Sequence, residues 1–162
     1  MTLRPAEFGF PRTDLRRRLV DAILSGGKTS TTGLLSDLER DGETLPEVGE
    51  RFELIDELDR VVGVIETTEV FVTTIGQVDL PFAIDEGEGF TSVQEWRKAH
   101  EEFWLSYADE TRGWLSDPDW RPTDATSIVC ERFRLVGGGT PNQRVGDTPS
   151  TDPRPPRSKG CR

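Results

Sequence analysis

At 162 residues the chain has room for one domain with its own core, and a hydrophobic content of 33% predicts that part of it lies outside that core. The formal charge of −10 is unevenly spread, with 15 Lys and Arg against 28 Asp and Glu through Val136, and 5 against 2 beyond it. A body this acidic excludes extensive binding of generic duplex DNA, because non-specific affinity comes from neutralising phosphates.

The first predicted element is a helix. Leu15, Leu19, Ala22 and Ile23 recur at helical spacing behind a Thr13 or Asp14 cap, and Gly26 with Gly27 supplies the stop. Arg16, Arg17 and Arg18 are expected to face mostly water. After the stop come Lys28 and the hydroxyl run Thr29, Ser30, Thr31 and Thr32. A short helical piece over Leu34 to Arg40 and an extended segment near Arg51 to Ile55 follow. "DELDR" reads as a hairpin connection into "VVGVIETTEVFVTT", which is either one long bent strand or two short ones. Gly63 within it marks a bulge or a close backbone approach.

"QVDLPFAIDEGEGFTS" reads as irregular and acidic. Beyond it Thr91 or Ser92 caps a strong helix, with Gln94 or Glu95 at the capping-box position. Val93, Trp96, His100, Phe103 or Trp104, and Tyr107 share one face of it. "RGWLSDPDW" is loop-like, and "TSIVCERFRLV" is the last strand, half buried. Few helices and several short strands predict an α+β fold with a small, mostly antiparallel sheet or barrel. Residues 1–136 form the expected domain, and 137–162, rich in Gly, Pro, Ser and Thr, the expected disordered tail.

Two cysteines, Cys130 and Cys161, make no disulfide framework, and no zinc spacing is present. The amino terminus lacks an apolar signal core, and no run approaches membrane-spanning length. These features predict a cytoplasmic protein with neither a membrane partner nor a metal or other cofactor; they leave the oligomeric state open.

Three chemistries compete for the "GGKTSTT" stretch. A phosphate-binding P-loop fails, because Ala22 stands at its first glycine position and a helix precedes it rather than a strand. A threonine nucleophile, Thr31, with Lys28 as its base fits the spacing within a turn. The plain alternative has Lys28 capping helix carbonyls. Glu86 and Glu88 lie among glycines that let a ligand come close. His100, on an apolar helix face, reads as a packed, hydrogen-bonded histidine rather than a ligand or base. Trp114 and Trp120 are the tryptophans least certain to be core.

Taken together, Gly-Lys-Thr-x-Thr, Glu-Gly-Glu-Gly and Trp-Arg-x-x-His, in this order with "IVCERFRLV", resemble the ASCH-domain family, related to the PUA-like RNA-binding folds. The resemblance runs from about Leu15 to Val136. It implies a small PUA-like β-barrel decorated with helices and a cleft lined by the Gly-Lys-Thr and Glu-Gly-Glu segments. The implied ligand is a nucleoside, a nucleotide or RNA. One branch of the family is similar to an amidohydrolase of N4-acetylcytidine, and another acts as a ribonuclease. By this resemblance Lys28, Thr31 and Glu88 are the catalytic set, with Glu86 as the alternative match for the glutamate, and Gly27, Thr29, Glu86, Trp96 and Arg97 line the ligand. Where the amidohydrolase branch continues its hydroxyl run into an arginine, this chain has Gly33.

Overall fold

The computed structural model describes residues 2–138. Its elements, in chain order, are β1 (Arg4–Ala6), α1 (Asp14–Leu24), β2 (Ser30–Leu34), α2 (Leu35–Asp41), β3 (Arg51–Ile55), β4 (Val61–Thr74), α3 (Leu80–Asp85), α4 (Val93–Leu105), α5 (Ala108–Leu115) and β5 (Ser127–Gly138). A 3-10 turn at Ile75–Gln77 lies between β4 and α3. The strands form one five-stranded sheet in the order β1-β3-β4-β5-β2. Only the β1–β3 pair is parallel. The fold is therefore α+β with a mixed sheet. Its hydrogen-bonded order is open, β1 and β2 being the edges, so the strands do not close into the expected barrel.

Local chemistry explains the element ends. Thr13 caps α1, its hydroxyl accepting from the Arg16 amide, and Gly26 takes a left-handed φ of 86° at the other end. Ser92 caps α4, and Glu95 reaches back to the Thr91 amide at 2.7 Å. Gly63 meets both expectations made of it. The β4–β5 register shifts beside it, between Val64 and Ile65, and a Cβ on Gly63 would lie 2.9 Å from the Gly137 carbonyl oxygen.

Two apolar clusters occupy the two sides of the sheet. Leu19, Val20 and Ile23 of α1 pack with Phe8, Phe52, Leu54, Ile65 and Phe133. On the other side Phe82 of α3 and Trp96 and Trp104 of α4 pack with Tyr107, Leu34, Ile128 and Cys130. Each such side chain contributes roughly 1.5–3 kcal/mol on burial. Trp120 packs against the second cluster from partial burial, and Trp114 is exposed.

Arg16 departs from expectation. Arg17 and Arg18 face water, but Arg16 is buried, its Nη2 donating to the Gly9 carbonyl at 2.8 Å and Nη1 facing Asp59. The expected tail falls outside the described residues except for Gly137 and Gly138, which form the end of β5 against Val64 and Gly63. No helix among the described residues is long and apolar enough to cross a membrane.

Candidate functional site

The hydroxyl run is a strand. Ser30–Leu34 pairs with Ile128–Arg132 of β5, and all five of its residues are buried. Side chains alternate faces along a strand. Ser30 donates to the Phe82 carbonyl of α3 at 3.1 Å, and Thr32 donates to Glu86 Oε1 at 2.6 Å. Thr31 therefore points to the other face, directly opposite Glu131 of β5. Thr29, Ser30 and Thr32 all spend their hydroxyls on α3 or the residue after it, whereas the Thr31 hydroxyl has no hydrogen-bond partner among the described residues.

Lys28 does not cap the helix with its side chain. Its backbone amide takes that role, donating to the Ala22 carbonyl. The buried ammonium reaches forward, with Nζ donating to the Ser30 carbonyl at 2.8 Å and to the Glu86 carbonyl at 3.2 Å. Two of its three N–H groups are thereby engaged.

The Glu-Gly-Glu segment is fastened to the Gly-Lys-Thr segment through the backbone. Thr29 N donates to the Asp85 carbonyl at 2.8 Å. Gly87, at φ 69°, packs so closely that a Cβ there would sit 2.4 Å from the Gly27 carbonyl oxygen and 2.7 Å from Lys28 Cα. No side chain fits that contact, and the left-handed backbone also favours glycine.

The centre of the cluster is Glu86, 1% exposed. Besides Thr32 it meets His100 of α4, with Oε2 at 2.9 Å from Nε2. His100 Nδ1 faces the Trp96 carbonyl at 2.8 Å, and the imidazole stacks on the Trp96 ring at 4.4 Å. Burial alone would raise the Glu86 pKa, but the charges of His100 and Lys28 and the hydrogen bonds from His100 and Thr32 hold it well below the usual range. For His100, burial works against the imidazolium, and the Glu86 carboxylate outweighs it to raise the pKa. Glu88 is exposed, yet its carboxyl lies within 4.8 Å of the Glu86 and His100 ligand atoms. Desolvation of that carboxyl, with the charge of Glu86 and a hydrogen bond shared with it, raises its pKa against the opposing pull of Lys28 and His100.

These three side chains could offer ligand atoms to a metal ion, but a cation there would face the Lys28 ammonium and break the Glu86–His100 pair. The arrangement is that of an ion-pair network. Burial pushes the Cys130 thiol up to about 12, which removes it as a nucleophile at neutral pH.

The sequence-derived set is thus only partly brought together. Lys28, Glu86 and Glu88 converge, with Gly27, Thr29 and Trp96 as their support. Thr31 lies on the opposite face from Thr32. Arg97 is turned outward and committed to Glu101 and Asp124. His100 and Thr32 were missed as site members. The i, i+4 spacing of Trp96 and His100 was the available signal, but it also describes an ordinary packed helix face.

An ASCH domain family model matches residues 7–137. The ASCH domain of Lactobacillus crispatus JV V101 is 26% identical, with a TM-score of 0.70 over 84% of this chain and 80% of that one. A protein of Enterococcus faecalis V583 is 22% identical, with a TM-score of 0.67 over 87% and 84% of the two chains, and shares the fold. No curated protein matches the chain. With the family model spanning nearly all of the described residues, the chain belongs to the ASCH domain family.

Proposed function

We propose that the protein binds a nucleoside, nucleotide or RNA-like ligand where the Gly-Lys-Thr and Glu-Gly-Glu segments meet. The observation that carries this reading is the convergence of Lys28, Glu86, His100 and Glu88, with three members buried and Glu88 alone at the surface. Buried charges are costly unless they pair. A fold that assembles four ionisable groups at one spot, and locks the two segments together through Gly87, is built to present polar groups to something. Family membership, with its RNA-binding-like character, supports a base or nucleoside as that partner. The acidic body disfavours a long phosphate backbone, so duplex DNA is not the ligand.

A second reading, hydrolysis of an amide on a modified cytidine, is favoured by one observation. Thr31 alone in its run keeps its hydroxyl uncommitted among the described residues, as a nucleophile requires. In that chemistry the Thr31 oxygen bonds to the acyl carbon and its proton passes to a base. The proton then goes to the departing amine as the C–N bond breaks, and water releases the acyl group.

Calorimetry with N4-acetylcytidine as probe tests both readings. Lys28→Met, similar in length and uncharged, is expected to weaken binding by about tenfold or more, the scale of a lost charged hydrogen bond. Thr31→Val is expected to leave binding intact while abolishing any turnover. Unchanged affinity in Lys28→Met would sink the binding reading. Turnover surviving in Thr31→Val would sink the hydrolytic one.

A further inference from the structure

His100 reads from the sequence as a packed, hydrogen-bonded histidine, and the proposed function counts it in the cluster without giving it a role. Its surroundings argue for more. Both ring nitrogens face acceptors, Nε2 the Glu86 carboxylate at 2.9 Å and Nδ1 the Trp96 carbonyl at 2.8 Å. A neutral imidazole donates from only one nitrogen, so with Glu86 ionised, satisfying both contacts requires the imidazolium. Glu86 also accepts from Thr32 and has the Lys28 ammonium near it. Every neighbour thus favours its ionised form. The groups facing this pair from the packed elements are Thr32 of β2, Cys130 of β5, Lys28, Glu88, and the rings of Trp96, Trp104 and Phe90. Glu88 shares a side-chain hydrogen bond with Glu86, and that bond favours the protonated form of Glu88.

We infer that His100 is a positioning residue of the cleft: as an imidazolium it keeps Glu86 ionised, so that Glu88 directs the exchangeable proton to Glu86 and meets the ligand through its second oxygen as an acceptor. Two carboxyls this close do not both ionise easily, and Glu86 alone adds hydrogen bonds from His100 and Thr32 to the pull of the two cations, so Glu88 keeps the proton. The raised pKa of Glu88 and the lowered pKa of Glu86 agree with that order. The ligand this selects presents a donor, such as an exocyclic amine or amide N–H, to Glu88. Such a donor binds more strongly still once Glu88 ionises, because a charged acceptor makes the stronger hydrogen bond. The inference on the ligand rests on the binding reading above, whereas the charge state of His100 does not.

The chain has a single histidine, so ring-nitrogen NMR on the full chain reports His100 without assignment. At about pH 7.5 the wild type is expected to show both ring nitrogens protonated, and Glu86→Gln to return the ring to a neutral tautomer. Thr32→Val, a milder loss of one Glu86 partner, is expected to move the His100 midpoint in the same direction should Glu86→Gln fail to fold. A neutral ring in the wild type at that pH overturns the inference outright.

The ligand half is read from affinity for N4-acetylcytidine against pH. Wild-type affinity is expected to rise by about tenfold as Glu88 ionises, while Glu88→Gln, which keeps a neutral acceptor at every pH, shows a flat profile. A wild-type profile that is flat, or that weakens as Glu88 ionises, overturns the acceptor role. An imidazolium with no nucleoside binding at all leaves His100 as assigned and removes the binding reading instead.

Discussion

Gly87 carries more of the site than any charged residue does, because it decides whether the two segments can touch. A methyl group there meets the Gly27 carbonyl at 2.4 Å and must also accept a φ of 69°. Gly89 has a comparable φ of 83° but open space around it. Gly89→Ala is therefore expected to cost only the left-handed penalty of about 1 kcal/mol, and Gly87→Ala at least about 2–3 kcal/mol together with ligand affinity. Urea unfolding of the two variants makes the comparison, and equal losses would show that the backbone contact is not a constraint. Arg16 gives the converse lesson about single residues. A triple arginine reads as a wet face, yet α1 has to turn one side to the core, and Arg16 occupies that side with Nη2 bonded to the Gly9 carbonyl, Nη1 facing Asp59 and Nε without a hydrogen-bond partner among the described residues.

Between elements, the α2–α5 junction holds a second buried titrating group. Asp37 of α2 accepts from the Tyr107 hydroxyl at 2.7 Å and faces Arg40, and burial raises its pKa from 3.8 to about 6 despite both partners. A carboxyl with a raised folded pKa makes the fold less stable above that value, and the loss is recovered as pH falls through about 6 toward 3.8. His100, raised above 6.5, adds stability that is full below 6.5 and is lost as pH rises through its folded value. Glu86, lowered from 4.5, acts the other way, with stability present above 4.5 and lost as pH falls through its folded value. Stability is thus expected to increase on going from about pH 7.5 to about pH 5.5, and Asp37→Asn to flatten part of that rise. Thermal melts across this window check it. An Asp37→Asn profile parallel to wild type would mean that Asp37 does not titrate there.

The same scale shows which elements could be read in advance. α1, β3 and α4 have strong periodicity or clear caps, and β5 alternates, so their positions were legible. β2 was not, because "STTGL" is buried on both faces and carries no polar–apolar alternation. α3 is six residues long with Pro81 near its start, and α5 contains Gly113, so neither offers a helical stripe. Missing β2 had a direct consequence for the site. Only the strand assignment reveals that Thr31 and Thr32 face opposite ways, and with it that Glu86 is tied to Thr32.

For the molecule as a whole, the open sheet makes the last residues of β5 matter. Gly138 approaches Gly63 so closely that a Cβ would lie 2.9 Å from its Cα. A chain ending at Gly138 is expected to melt within about 5 °C of the full chain, a difference under roughly 1 kcal/mol, and one ending at Val136 measurably lower. Equal melting of the two truncations would show that the Gly63–Gly138 contact adds nothing. A large loss on removing 139–162 would show that those residues contribute to the body.

The whole molecule also frames the functional claim, since an acidic body that gathers Lys28, Glu86, Glu88 and His100 at one point is suited to a small polar ligand. The most direct measurement is chemical-shift mapping of the full chain titrated with N4-acetylcytidine. The expected result is saturable shifts confined to the Gly27–Thr32 and Asp85–Phe90 segments and to the His100 ring. No saturable shift, or shifts centred on the open groove formed by Arg4, Leu45, Val48 and Glu50 at the far side of β3, would contradict the placement of the ligand at this cluster.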